Sequence, residues 1–178
     1  MRLRPLGRLA QALGSIWGTP VHFLLYTLAL VSSLSFAQAA RDESEVVLVD
    51  KTDADMTAAI SEARSTLDDF LKISANPPKG ASGFKLKVMV KEGSHTEHFW
   101  VTPFHTVGDE FAGTLANDPK VVKNVKMGEE IRFVRANISD WGYTKDGKQL
   151  GSYTVCVLFK KMPKDEADYY RINYGFDC

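Results

Sequence analysis

Two short stretches of the 178-residue chain set an acid beside a tryptophan: Glu97-His98-Phe99-Trp100 and Ile138-Ser139-Asp140-Trp141-Gly142-Tyr143. Three roles suit that combination. Paired carboxylates such as Glu97 and Asp140 can flank a sugar as acid and base, as in most glycosidases, with Trp100 and Trp141 as stacking platforms. Indole and phenol side chains also give stiff contact area with a polar handle, which suits a recognition surface made of Glu97, His98, Trp100, Asp140, Trp141 and Tyr143. The third role is structural, a turn-capping carboxylate beside a core indole.

Other chemistries find less support. His95, Glu97, His98, His105 and Asp109 crowd into one short segment, and zinc needs three or four converging ligands. On an extended strand, however, His95 and Glu97 face one way and His98 the other. The usual zinc-ligand spacings are missing, so neither a metal site nor a cofactor is expected. There is no G-x-S-x-G elbow and no glycine-rich phosphate loop. No catalytic residue is assigned.

The elements that must carry these residues follow from periodicity. Met56, Ile60, Ala63, Leu67 and Phe70 recur at spacings of three and four, predicting one amphipathic helix that begins after the capping residues 50–55 and ends before Asn76-Pro77-Pro78. A short strand is expected at Glu45–Val49. From Phe84 the period becomes twofold, with Phe84, Leu86, Val88 and Val90 apolar and Lys85, Lys87 and Lys91 on the other side. Strands at His95–Thr102, Glu110–Leu115 and Ile131–Arg135 continue an antiparallel meander; Lys120–Val125 is left unassigned between helix and strand. Asp146-Gly147 marks a hairpin, because both residues tolerate positive φ. Tyr153–Phe159 is apolar on both sides and is expected to be the central strand. Pro163, Asp165 and Glu166 open a last helix, in which Ala167, Tyr170 and Tyr174 would pack on the sheet and Gly175 would close the helix. The expected fold is α+β: a curved antiparallel sheet of about five or six strands, open or barrel-like, with one long N-terminal helix and a short C-terminal one.

The N-terminus reads as an address. Arg2, Arg4 and Arg8 precede a mostly apolar run, Val21–Leu34, and small residues offer an A-x-A site at Ala37 and Ala39. That order is a secretory signal peptide over residues 1–39, leaving one domain at 40–178 in the periplasm. The alternative, an uncleaved anchor, needs about 20 apolar residues, more than this run supplies. Residues 40–178 hold 22 acids against 19 Lys and Arg, so nucleic acid is not an expected partner and no membrane span remains after cleavage. In an oxidising compartment Cys156 and Cys178 are expected to pair, a loop worth about 3 kcal/mol in the chain-entropy model; two buried free thiols are the alternative.

The stretches Phe84–Val90, Thr96–Phe104, Ile138–Tyr143, Tyr153–Val157 and Tyr174-Gly175-Phe176-Asp177-Cys178 together resemble the domain of unknown function 2314 family, in its YegJ-like branch of small exported bacterial proteins. The resemblance implies an α+β domain and export, and carries no catalytic residue with it. The expected function is therefore a non-catalytic periplasmic binding or inhibitory module of the immunity type, whose partner is another exported protein or a cell-wall component. The alternative is a cell-wall glycan binder or hydrolase using Glu97 and Asp140.

Overall fold

The computed structural model describes residues 53–178; the expected strand at Glu45–Val49 and the signal segment lie outside them. The Asp53 carboxylate accepts the Met56 amide at 2.8 Å and caps α1 (Ala54–Ser65), satisfying one of the orphan donors of a helix start. The single long helix expected here is two, since α2 (Leu67–Ala75) restarts after Thr66. The joint has a local cause: the Thr66 hydroxyl lies within hydrogen-bonding distance of the Glu62 and Ala63 carbonyls, and the Trp141 indole donates to the Ala63 carbonyl. Side-chain donors competing for helix carbonyls loosen the regular ladder. Ala63, Leu67 and Phe70 remain one buried stripe across both pieces.

Six strands follow: β1 (Ala81–Glu92), β2 (His95–Val107), β3 (Glu110–Leu115), β4 (Glu130–Phe133), β5 (Ile138–Lys145) and β6 (Lys148–Gly151). They form one sheet in the order β4-β3-β2-β1-β5-β6, every neighbour antiparallel. The edges β4 and β6 do not pair with one another, so the sheet is open and not a barrel. Asp146 (φ 50°) and Gly147 (φ 80°) make the β5–β6 turn in the left-handed region that the Asp-Gly pair requires. Lys120–Val125 forms neither helix nor strand but part of the irregular connection from β3 to β4.

The largest correction concerns Tyr153–Phe159, which is helix α3 and not the central strand. A short apolar run bounded by turn signals does not distinguish a buried strand from a buried helix. Here it is apolar all round because it lies between two helical neighbours. α3 packs along α1, and Phe159 stacks on Tyr170 of the last helix, α4 (Lys164–Tyr174). The aromatic stripe of α4 thus meets α3, where the sequence suggested the sheet. After Gly175, whose carbonyl accepts the Gln149 amide of β6, the tail returns to α3 through the Cys156–Cys178 disulfide.

Candidate functional site

The period of two divides the expected site residues between the faces of the sheet. Leu86 pairs with both Val101 and Trp141, and Val88 with Phe99 and Ile138, so these residues form the core face under α1 and α2. Lys87, one position out of phase, pairs with Trp100 on one side and Asp140 on the other. A register shift leaves Ser139 as an extra residue between Ile138 and Asp140. Such a bulge re-aims the side chains on either side of it.

Four of the six expected surface residues are interior. Trp141 is 8 % exposed and Tyr143 6 %; the Trp141 ring stacks on Phe70 and the Tyr143 ring tilts against it. The Trp141 indole N–H donates to the Ala63 carbonyl at 2.9 Å and to the Thr66 hydroxyl at 3.2 Å, which gives its polar end the partner a buried indole needs. Glu97, 9 % exposed, sits on the core face and accepts the amides of Lys120, Val121 and Val122 at 2.9, 2.9 and 3.1 Å. One carboxylate thereby satisfies three backbone donors of an irregular segment and seats Val122 in the core.

Asp140 is fully buried at the start of α3. Its Oδ1 accepts the Trp141 amide at 2.8 Å and the Tyr153 amide at 3.3 Å, and its Oδ2 accepts the Thr154 amide and hydroxyl at 2.8 and 2.6 Å. Burial raises its pKa above the ordinary carboxylate value, against the pull of Thr154, Lys87 and Trp141. Glu97 and Asp140 therefore lie on opposite faces, each bound by backbone donors. The geometry does not bring them together around a substrate.

His98 and Trp100 are the two expected residues that reach the surface, on the face away from α1 and α2. The His98 Nδ1 lies 2.9 Å from the Ser139 hydroxyl, whose own proton goes to the Lys87 carbonyl at 3.2 Å, so Nδ1 is the donor. The residue is exposed, with its Nδ1 turned in toward Ser139. Desolvation, then the charges of Lys87 and Arg64, holds its pKa down to about 4. Beside it the Trp100 ring carries two ammonium groups, Lys85 Nζ at 4.6 Å and Lys87 Nζ at 5.4 Å from its centroid. Such cation–π contacts strengthen as the cation loses water. Burial lowers the pKa of both lysines, and Asp140 draws each partly back up. Lys87 also donates to the Thr154 hydroxyl at 3.0 Å, linking β1 to the Asp140 cluster.

Lys85, Lys87, Ser152 and Thr154 are the members of this cluster that the sequence did not single out. The lysines of β1 read only as the side of the strand opposite its apolar residues, and nothing local to Ser152 or Thr154 marks them. Gly142 explains how closely they pack: a β-carbon there would stand 2.6 Å from Ser152 Oγ, 2.9 Å from Gln149 Nε2 and 3.1 Å from Lys85 Cε. Ser152 Oγ is buried and has no hydrogen-bond partner among the described residues. Among those same residues no three His, Cys, Asp or Glu side chains converge as a metal site would require, and no helix is long and apolar enough to cross a membrane.

The family model described as "Uncharacterized protein conserved in bacteria (DUF2314)" matches residues 53–178, the whole of the described fold. The chain belongs to the DUF2314 family. It is 36 % identical over 148 residues to the uncharacterized protein YegJ of Escherichia coli strain K12, covering 81 % of this chain and 94 % of that one. It is also 28 % identical over 87 residues to a putative ankyrin repeat protein of Neisseria meningitidis serogroup B, covering 49 % of this chain and 34 % of that longer one. No solved structure matches. Within this DUF2314 domain, the residues with chemistry still to offer are those around Trp100.

Proposed function

We propose that this DUF2314 protein is a non-catalytic binding module, exported to the periplasm by residues 1–39, that masks another exported protein in the manner of an immunity protein. Its contact surface is the sheet face away from α1 and α2, centred on Trp100 with Lys85 and His98. One observation carries this reading: Trp100 is partly exposed under two ammonium groups, whereas Glu97, Asp140, Trp141 and Tyr143 are taken up by the core and by backbone amides. A rigid aromatic flanked by cations is the composition of a binding hot spot. Both cysteines are tied in a disulfide, which removes them as nucleophiles.

The test is capture. The oxidised protein and its folded Trp100→Ala variant are immobilised and exposed to periplasmic extract and to peptidoglycan from the same cells. A protein retained by the wild type and lost by Trp100→Ala supports the masking role. Retention of glycan alone replaces it with a cell-wall role for the same face. Equal retention of everything by both forms rules out Trp100 as the centre of the surface.

A further inference from the structure

The geometry points to an acidic peptide segment of a partner protein as the occupant of the Trp100 face, with a carboxylate received between Lys85 and the open edge of the indole; this rests on the binding-face reading above. The charge balance of the face is the first support. Lys85, Lys87 and Lys91 alternate along β1 on the side that carries Trp100, and none of the three forms an ion pair among the described residues. The acid beside these lysines, Asp140, is fully buried and already accepts four donors, while the other acids that share the face, Glu110 and Glu130, lie on β3 and β4. His98 stays neutral above about pH 4 and adds no charge. The β1 part of the face is thus left with lysines that no ion pair among the described residues answers, and complementarity calls for an anion there.

A second support is polar and independent of charge. Ser152 Oγ, packed over Gly142 next to the Lys85 stem, is buried without a hydrogen-bond partner. Buried hydroxyls are ordinarily paired, and an exception calls for an explanation, a bound group or an ordered water among them.

The chemistry favours a carboxylate over a phosphate. Phosphate sites draw on bidentate arginine and on free helix N-termini, with lysine as a point charge beside them. Here the nearby cations are lysines, and the amides at the start of α3 are already held by Asp140. The surroundings are a strand pair with an indole, which suits an extended peptide whose apolar atoms lie on Trp100 while its acid meets Lys85.

The test uses the intact oxidised protein and three probes: an oligo-glutamate peptide, the matching oligo-glutamine peptide, and inorganic tripolyphosphate. Binding is followed through the Trp100 indole N–H resonance. The expected result is oligo-glutamate binding with a Kd under about 1 mM, weakening as salt is raised, and reduced roughly tenfold by Lys85→Gln. Lys91→Gln, at an exposed position, is a second variant that should weaken binding with no change in fold. Equal binding of oligo-glutamine, or tighter binding of tripolyphosphate, overturns the acidic-peptide assignment. If oligo-glutamate fails while a partner is still captured in a Trp100-dependent way, the ligand chemistry is wrong and the face stands; if capture is also indifferent to Trp100, both fall.

Discussion

The carboxylate of Asp140 accepts both the amide and the hydroxyl of Thr154, fourteen residues later, at 2.8 and 2.6 Å. This pair joins the second strand of contact with β1 to the first turn of α3, and it places the acid where a reacting group would have no access to solvent. Asp140→Asn retains the shape but turns one carboxylate oxygen into a donor that faces donors. Stability in urea at neutral pH should fall by about 2 kcal/mol. Thr154→Val should cost about 1–3 kcal/mol by the same count of unpaired groups, since Lys87 loses its acceptor as well. A neutral Asp140→Asn would remove the acid from its structural role.

Glu97 clamps a loop, and its substitution should be felt there first. With Glu97→Gln the amides of Lys120, Val121 and Val122 share one good acceptor in place of two. Hydrogen exchange at those three amides should rise well above that of the β1–β2 ladder, and global stability should drop by about 2 kcal/mol. Unchanged protection at all three would show that the loop is held by Val122 packing alone.

The two tryptophans should respond oppositely. Trp141→Phe loses two indole hydrogen bonds and leaves the Ala63 carbonyl and Thr66 hydroxyl facing a ring, for a cost of about 1–3 kcal/mol. Trp100→Phe keeps a ring under the lysines and should stay within about 0.5 kcal/mol of wild type, as surface changes usually do. In a Trp17→Phe background iodide should quench Trp100 fluorescence and spare Trp141; the reverse pattern would contradict the face assignment.

Acid sensitivity should trace to His98. Its folded pKa of about 4 lies below the value near 6.5 of an unfolded chain. Between those two values the unfolded chain binds more protons, so stability is fully present above about pH 6.5 and is lost as pH falls toward 4. The slope of stability against pH over this window should flatten in His98→Gln. An NMR titration that finds the His98 ring protonating near 6.5 in the folded protein would remove the basis of the effect.

Much of the fold was legible from local patterns. The twofold alternation of Leu86, Val88 and Val90 against the lysines of β1, the Asp146-Gly147 turn, and the Pro163 and Gly175 boundaries of α4 are each set by residues within a few positions of one another. Steric limits on φ and the pleat of a strand act at that range, so sequence alone determined them. The acid-tryptophan stretches stand out in the sequence, but their roles were not readable from it. Only the tertiary structure decided which face each residue takes, because the bulge at Ser139 and the cross-strand register depend on partners far along the chain. It decided as well that Tyr153–Phe159 is a helix: an apolar run is compatible with either state, and the choice falls to Asp140, whose carboxylate binds the helix-start amides, and to the helices packed on both sides.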